Sequence, residues 1–320
     1  MNRLPPVTSL AAGTSGWGFF LCAQKEVRPS RSGDLFVSLA LQDRTGLLSG
    51  KIFNEVDRYR DEFDEGDFVK AQGRIDLFKD SLQIIVERIR RVNPGQDAAD
   101  GFREEECILS ADRPIDEMWD ELQGLVRSMT NPYLRTLVER VTAGHEARLR
   151  VWPAAQLVHH AYRAGFLEHV LSVSHVALGL ARHYRADADL VLTGAVLHDI
   201  GKLQELDYDR SIGYSREGNL VGHIALGLIM VRDAMAGVAG FPDVLRTQVE
   251  HLIVSHHGSR EFGSPVVPMT VEAMIVSAAD DLDAKLNQVQ RAIAAADPDG
   301  EFTSYQKRLG RVLWKGNGDR

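Results

Sequence analysis

The hydrophobic periodicity of this chain changes from two residues to a helical spacing near residue 100, and this change limits the possible folds most strongly. Alternate residues are apolar across 35–43, LFVSLALQD, as in a strand with one buried face. Other strand-like segments lie at 19–26, 47–53, 66–78 and 81–92, and a short polar helix is predicted at 56–63. Five strands with a helix between the third and fourth indicate an OB-fold barrel over residues 1–92.

The remainder of the chain has a different pattern. Residues 93–106, NPGQDAADGFREEE, are polar and without periodicity, which predicts a linker. The segment 115–129, IDEMWDELQGLVRSM, has apolar residues at helical spacing, and further helices are expected as far as Lys315. The predicted fold class is therefore multidomain α+β. A small all-β OB-fold barrel precedes an all-α domain over residues 107–320.

The composition is typical of a globular protein and disfavours several classes. Hydrophobic residues make up 44% of the chain, and no apolar run reaches the ~18–20 residues of a bilayer-spanning helix. The N-terminus does not resemble a signal peptide, and the two cysteines, Cys22 and Cys107, cannot form a disulfide framework. A cytoplasmic location is therefore expected. The net charge of −8 disfavours a simple nucleic-acid binder, although residues 1–96 hold 14 basic and 13 acidic side chains.

Histidines and aspartates concentrate in the second part of the chain, in an order that suits a metal site. Most of the eleven histidines lie between 159 and 257. The pair His198-Asp199 lies in AVLHDIGKLQEL, where a buried carboxylate would be costly unless it is paired or binds a cation. The other candidate ligands lie in four separate segments: His169 in FLEHV, His223 in NLVGHIALG, His256 and His257 in VSHHGS, and Asp280 in VSAADDLDAKL.

Imidazole and carboxylate ligands together suit a pair of divalent cations such as Mn, Fe, Co, Ni or Zn. Two such ions can activate water and polarise a phosphoryl oxygen, and Asp199 has two oxygens with which to bridge them. A helix would place Lys202 on the same face, where its ammonium could contact a phosphate oxygen. The sequence thus predicts a phosphohydrolase site with Asp199 and Lys202 as catalytic residues. Other imidazoles and carboxylates are expected in supporting roles: His175, His183 and His251 in the core, and Asp281 and Glu205 at the surface or behind the ligands.

Taken together, these segments resemble the YhaM-type 3′→5′ exoribonucleases, which combine an OB-fold domain with a C-terminal HD domain. The matching segments are HHAYRAGFLEHVLSV, AVLHDIGKLQEL, EGNLVGHI, SHHGSREFGSP, VSAADDLDAKL and the tail FTSYQKRLGRVLW. The resemblance implies a metal-dependent enzyme that shortens single-stranded RNA from its 3′ end and also accepts single-stranded DNA. It further implies two metal ions per site, with Mn²⁺ preferred and Fe²⁺, Co²⁺, Ni²⁺ or Zn²⁺ as alternatives.

The resemblance also implies how the ligands are shared between two ions. His169, His198, Asp199 and Asp280 would surround one ion, and Asp199 would bridge to a second ion held by His223 and His256. His257 is an alternative to His256 or an addition to it. Two positions depart from the family pattern: AGFLEHV replaces a Gly-Gly-Leu-like run, and Asp281 replaces an asparagine. The extra charge beside Asp280 leaves the metal preference open.

Aromatic and basic residues are candidates for contacts with RNA. Phe36 lies opposite the core-facing residues of its strand, with Lys51, Lys70, Arg74 and Lys79 expected on the same side, as in OB-folds that bind single strands. Packing of Phe36 beneath a loop or at a domain contact is the alternative. Trp17, Phe19 and Phe20 are expected to form the barrel core or to close the end of the barrel.

A second group of candidate RNA contacts lies just before His169. His159, His160, Tyr162 and Arg163 are expected to line the opening that admits the 3′ nucleotide, because tyrosine stacks on bases and arginine pairs with phosphate. Core packing is the alternative for Tyr162.

Three other functions are compatible with parts of this pattern. An HD-type phosphohydrolase or phosphodiesterase of small nucleotides would use the same metal site but has no need of an OB-fold. A non-catalytic single-strand binding protein is disfavoured by the complete ligand series. A di-iron oxygenase fits poorly, because Lys202 and the OB-fold suit phosphates better.

Overall fold

The computed structural model describes residues 2–30, 33–78, 81–155, 160–208, 212–294, 296 and 300–316. The chain forms two compact units, Met1–Ser110 and Ala111–Arg320. The first unit contains β1 (Ser15–Pro29), β2 (Leu35–Gln42), β3 (Leu47–Ile52), α1 (Val56–Glu62), β4 (Phe68–Phe78), β5 (Ser81–Arg91) and α2 (Pro94–Asp97). The second contains α3 (Ile115–Arg127), α4 (Pro132–Gly144), α5 (Glu146–Leu149), α6 (Gly165–Tyr184), α7 (Ala188–Leu197), α8 (Lys202–Glu205), β6 (Leu206–Tyr208), β7 (Ile212–Tyr214), α9 (Arg216–Val221), α10 (His223–Ala236), α11 (Asp243–Ser255) and α12 (Val271–Ala294).

The five strands of the first unit close into a barrel in the order β1-β2-β3-β5-β4. Neighbouring strands are antiparallel except for β3 and β5, which are parallel, and α1 lies between β3 and β4 in the sequence. This arrangement confirms the predicted OB-fold. The alternation in β2 is also confirmed, because Val37, Leu39 and Leu41 are buried in the barrel core, although Leu35 is exposed.

The three aromatic residues of β1 divide between two faces of the strand. Phe20 lies in the barrel core, as expected. Phe19 points to the opposite face and packs in a separate cluster with Phe68 and Phe102, and Trp17 packs against the same cluster. The core prediction was therefore wrong for Trp17 and Phe19, because adjacent strand residues point to opposite faces.

Residues 93–106, predicted as a linker, lie within the first unit, and the division between the two units falls between Ser110 and Ala111. Asp97 is 1% exposed and accepts hydrogen bonds from the Arg90 guanidinium and from the backbone N–H of Asn93. Phe102 is buried in the cluster that contains Phe19. These contacts tie the segment to the barrel even though its sequence has no hydrophobic periodicity.

The second unit is built around α7, in which every residue from 190 to 197 is buried. A helix that is apolar on all sides must be covered on all sides, and α4, α6, α11 and α12 pack against it. The helical class is confirmed, with a small addition: β6 and β7 form a two-stranded antiparallel sheet. In the described residues, no helix is long and apolar enough to cross a membrane.

The expectation of helices as far as Lys315 was wrong. The last described helix, α12, ends at Ala294. Residues 300–316 instead form an antiparallel ribbon with bridges between Phe302 and Trp314 and between Gln306 and Arg311. Its turn contains Gly310, whose φ of +65° is a left-handed conformation that favours glycine.

Candidate metal centre

Five helices bring the predicted ligands together inside the second unit. All six side chains are less than one sixth exposed, and they project from the middle or the ends of these helices: His169 in α6, His198 just after α7, Asp199 beside it, His223 at the start of α10, His256 just after α11, and Asp280 in α12.

A close approach between two backbone segments sets the position of His223. A Cβ atom on Gly201 would lie 2.0 Å from the carbonyl oxygen of His223 and 2.5 Å from the backbone nitrogen of Gly227. Glycine is therefore required at this position if α10 is to begin next to the His198-Asp199 turn. The glycine of the HDIGK segment thus has a direct role in building the site.

One oxygen of Asp199 faces a first group of ligand atoms. Asp199 Oδ2 lies 3.4 Å from His198 Nε2 and 3.6 Å from His169 Nε2. The two imidazole nitrogens are 3.2 Å apart, and Asp280 Oδ1 lies 3.3 Å from His169 Nε2. The four ligand atoms of this group lie within 4.8 Å of one another.

The other oxygen of Asp199 faces a second group. Asp199 Oδ1 lies 3.4 Å from His256 Nε2 and 3.5 Å from His223 Nε2. His257 belongs to the same group, because its Nε2 lies 3.3 Å from His223 Nε2. Asp199 is therefore shared by two groups that could each hold an ion.

The Nδ1 atom of each of these imidazoles has an oxygen partner on the side away from the cluster. His169 Nδ1 lies 2.7 Å from Asp283 Oδ2, and His223 Nδ1 lies 2.9 Å from Glu205 Oε1. The remaining three partners are backbone carbonyls: Ala195 for His198, Ile253 for His256 and Phe262 for His257. A proton held on Nδ1 leaves a lone pair on Nε2, which is the tautomer that a metal ligand needs.

Two buried polar atoms at the centre of the cluster indicate that it binds a cation. Asp199 Oδ1 and His256 Nε2 are both buried and make no hydrogen bond with the described residues. Such atoms are costly to bury unless something binds them. Metal–ligand bonds of about 2.0–2.2 Å put neighbouring ligands roughly 3 Å apart, which agrees with the separations around Asp199. The residues therefore fit divalent metal ions.

The charges in the cluster agree with this assignment. Although burial opposes ionisation, the ammonium of Lys202 and the imidazole of His198 hold the pKa of Asp199 well below its ordinary value. Burial would lower the pKa of His198, but Asp199 and Asp280 raise it to about 9. Burial lowers the pKa of His256, which favours its neutral form. The carboxylates thus attract positive charge to the centre, as protons or as metal ions.

Lys202 contacts the cluster directly. Its Nζ atom lies 2.6 Å from Asp199 Oδ2, and the side chain is 11% exposed. Although burial works against the charge, Asp199 raises the pKa of Lys202 above its ordinary value, so the side chain is an ammonium. Lys202 therefore lies on the predicted face, paired with Asp199 rather than in a solvated position.

The candidate substrate contacts before His169 are arranged differently from the expectation. His160 is 3% exposed, its Nδ1 lies 2.8 Å from Glu168 Oε2, and its Nε2 lies 3.1 Å from Asp283 Oδ2. Tyr162 donates to Glu168 and is half-buried. His160 is thus a buried neighbour of the Asp283–His169 pair, Arg163 is half-buried, and His159 lies outside the described residues.

The barrel brings Phe36 and Lys51 together but gives Lys70 other neighbours. Lys51 Nζ lies 5.4 Å from the centre of the Phe36 ring, whose other neighbour is Phe53 at 5.7 Å. Lys70 instead lies 4.4 Å from the Trp17 ring and pairs with Asp97 and Asp100, and exposed Arg74 projects from β4. Lys79 lies outside the described residues. Phe53, which is 53% exposed, was not selected from the sequence.

The supporting residues divide as follows. Glu205 is buried and orients His223, whereas Asp281 is exposed and pairs with Lys285 at 2.6 Å. The charge of Asp281 is therefore neutralised at the surface. The core prediction was wrong for His175 and His183, which are exposed, and His251 is half-buried.

Family models match both units. An HD domain model matches residues 166–285, and an OB-fold nucleic acid binding domain model matches residues 23–92. The HD model spans all six predicted ligands, and the OB-fold model spans β2 through β5.

Curated relatives cover most of the chain. The 3′-5′ exoribonuclease YhaM of Bacillus subtilis is 34% identical over 275 residues, which are 85% of this chain and 85% of that protein. The YhaM proteins of a Geobacillus species and of Halalkalibacterium halodurans are 32% and 29% identical, over 85% and 93% of this chain and 82% and 92% of theirs. The resemblance inferred from the sequence is confirmed, and the chain belongs to the YhaM family of 3′-5′ exoribonucleases.

Proposed function

We propose that this chain is a metal-dependent 3′→5′ exoribonuclease that hydrolyses phosphodiester bonds of single-stranded RNA. The observation that carries the proposal is the position of Asp199, whose two oxygens face two separate groups of imidazole and carboxylate ligands. Membership of a family whose relatives are named exoribonucleases supports RNA as the substrate.

Two divalent ions would be held by His169, His198, Asp199 and Asp280 on one side, and by Asp199, His223 and His256 on the other. Such ions would supply Lewis-acid activation of water and of the scissile phosphate. His257 is placed to join the second group. Mixed nitrogen and oxygen ligands favour Mn²⁺ or another transition metal over Mg²⁺ or Ca²⁺.

The chain's own residues position and balance this centre. Asp283 and Glu205 lie next to the Nδ1 atoms of His169 and His223 and favour a proton there. The Nε2 atoms then face the centre without a proton, as metal ligands must. Lys202 places an ammonium next to Asp199, where a phosphate oxygen would gain a positive neighbour as its charge develops. We therefore assign Asp199 and Lys202 as the catalytic residues.

The first unit, here called the OB-fold unit, is proposed to bind the single strand through its barrel over residues 1–92, with single-stranded DNA as a further substrate. Phe36 offers a ring for base stacking, and Lys51 beside it offers a charge for the phosphate backbone. We propose a contact role for Tyr162 and Arg163, which are half-buried, and a supporting role for buried His160. The two free, buried thiols of Cys22 and Cys107 are compatible with the proposed cytoplasmic location.

The direction of RNA cleavage and the identity of the released product test the proposal. A 20-nucleotide RNA labelled at the 5′ end should give a ladder that shortens with time when full-length protein and Mn²⁺ are added. The same RNA labelled at the 3′ end should release labelled mononucleotide at once. Endonucleolytic fragments, or release of 5′-labelled mononucleotide first, would contradict the proposal. Single-stranded DNA of the same sequence tests the wider substrate range.

Two adjacent aspartates provide a matched pair of variants for this assay. Asp280→Asn removes a charge that faces the cluster, whereas Asp281→Asn removes a charge that is exposed and paired with Lys285. We expect the first variant to lose most RNA hydrolysis and the second to retain it. Equal activities in the two variants would remove Asp280 from the site.

Mononucleotides and cyclic nucleotides assayed beside the RNA separate the proposal from the small-nucleotide alternative. Faster hydrolysis of small nucleotides than of RNA would favour that alternative. RNA binding without hydrolysis in protein that contains metal would favour a non-catalytic single-strand binding protein.

A further inference from the structure

Residues 300–316, here called the tail ribbon, form a small antiparallel structure within the second unit. Phe302 bridges Trp314, and the backbone N–H of Thr303 donates to the carbonyl of Leu313 at 2.9 Å. The Thr303 hydroxyl also accepts from the N–H of Leu313 at 3.1 Å. These contacts define two faces for the ribbon.

The aromatic residues of the tail ribbon lie in solvent. Bridge partners in an antiparallel pair have their side chains on the same face, so Phe302 and Trp314 share one face. They are 52% and 59% exposed, and Tyr305 near the turn is 61% exposed. Thr303, the residue after Phe302, is 5% exposed, and its hydroxyl bonds to the backbone of the ribbon. The ribbon thus buries its polar Thr303 and exposes its rings, contrary to what burial of apolar area would favour.

The tail ribbon is basic within an acidic part of the chain. It carries four basic residues and one acidic residue: Lys307, Arg308, Arg311 and Lys315 against Glu301. Residues 97–320 as a whole hold 23 basic and 32 acidic side chains. Arg308 in the turn and Arg311 just after it are exposed. Exposed rings together with exposed cations form the combination that binds single strands without sequence preference.

We infer that the tail ribbon is a second surface for single-stranded RNA, in addition to the OB-fold unit. This inference rests on the proposed function for its substrate class. The rings of Phe302 and Trp314 would stack on bases, and the guanidinium groups of Arg308 and Arg311 would pair with backbone phosphates. The alternative is that another protein chain binds the tail ribbon, and the test below distinguishes the two.

Binding of a 5′-fluorescein-labelled 16-nucleotide oligouridylate to the full-length protein tests the inference. Fluorescence anisotropy in EDTA avoids cleavage during the measurement. Phe302→Ala and Trp314→Ala should each raise Kd about thirtyfold, the central value for loss of one stacked base. Trp314→Phe should recover most of the affinity, because a ring remains. Tyr184→Ala, which removes a ring that is 64% exposed at the end of α6, is the matched control and should bind as the wild type does.

The salt dependence of RNA binding tests the role of the arginine charges independently. Each lost phosphate contact should reduce the slope of log K against log salt by about 0.7 for a single strand. Arg308→Gln together with Arg311→Gln should therefore lower the slope by roughly 1.4. Melting temperatures of all variants exclude unfolding as the cause of weaker binding.

Two results would overturn the inference. One is wild-type affinity and salt slope in folded tail-ribbon variants. The other is a change in molar mass by light scattering without a change in RNA affinity, which would make the tail ribbon an interface between proteins. Degradation of RNA by the wild type is measured separately. Wild-type protein that binds RNA through the tail ribbon but does not cleave it would refute the proposed function and leave this inference intact.

Discussion

Asp97 in the OB-fold unit and Asp199 in the helical unit are both 1% exposed, yet their surroundings differ. Both oxygens of Asp97 accept hydrogen bonds from Arg90, and one also accepts from the backbone of Asn93. Asp199 accepts from Lys202 on Oδ2, whereas its Oδ1 makes no hydrogen bond with the described residues and faces two imidazole nitrogens.

This difference separates a structural carboxylate from one that can bind a cation. A buried charge must be compensated, and the protein itself supplies the compensation around Asp97. Around Asp199 the protein supplies part of it and adds His223 and His256, whose Nε2 lone pairs face the same unbonded oxygen. An unsatisfied acceptor surrounded by further acceptors requires a cation. Burial of a carboxylate therefore does not indicate function unless its partners are counted.

Asp199→Ala should have the largest effect. Since this carboxylate is shared by both ligand groups, we expect hydrolysis of RNA to fall by more than about 10³-fold and bound metal to be largely lost. Metal analysis by mass spectrometry and single-turnover cleavage of one labelled oligomer measure the two effects. Full turnover with normal metal content would disprove the bridging role.

Lys202→Met should come next. The substitution removes the charge next to Asp199 Oδ2 and retains an unbranched apolar side chain. If the ammonium stabilises the reacting phosphate, kcat/KM should fall by roughly 10²–10³ while metal content stays near wild type. Loss of metal in parallel with activity would instead assign Lys202 to holding Asp199, and near-normal rates would remove it from the mechanism.

Glu205→Gln should have a smaller effect, because Glu205 contacts a ligand rather than an ion. It accepts from the backbone N–H of His223 and lies 2.9 Å from its Nδ1. Loss of such a partner weakens metal affinity by about 10–100-fold. Titration of the metal-free protein with Mn²⁺ measures the effect, and excess Mn²⁺ should restore most of the activity. Unchanged metal affinity would show that the carboxylate charge is unimportant.

The sequence predicted the fold where hydrophobic spacing decides it. The alternation in β2 predicted which face of that strand is buried in the barrel core. The tail ribbon was missed because its shape depends on a turn at Gly310 and on the Thr303 hydroxyl, neither of which changes the hydrophobic pattern of the segment. Periodicity carries no information about such local hydrogen bonds.

The site was predictable in its ligand types but not in its supporting contacts. His169, His198 and Asp199 stand out because imidazoles and carboxylates in apolar segments need partners. The pairing of His169 with Asp283 joins residues 114 apart in sequence, so only the tertiary structure shows it. His160 was predicted to contact the substrate because its burial is not visible in the sequence either. That burial, between Glu168 and Asp283, comes from the packing of separate helices.

Asp97→Asn should have the smallest effect on function. It tests whether Asp97 has a purely structural role, in contrast to Asp199. The substitution keeps the size of the side chain and removes the charge that Arg90 neutralises. The lowered pKa of Asp97 corresponds to about 2 kcal/mol of stability at pH 7, which we expect the OB-fold unit to lose while metal content and cleavage of short RNA remain unchanged. Hydrogen bonds from Arg90, with smaller contributions from Asn93 and Lys70, outweigh burial and lower the pKa of Asp97 from 3.8 to about 2.

A carboxyl with a lowered folded-state pKa contributes stability above its unfolded pKa and loses it as pH falls through the folded value. The difference between wild type and variant should therefore be full above about pH 5 and shrink between pH 4 and pH 2. Thermal unfolding of both proteins at pH 7, 4 and 2.5 measures this difference. A difference that is undiminished at pH 2.5, or a loss of metal in the variant, would mean that Asp97 is more than a locally neutralised charge.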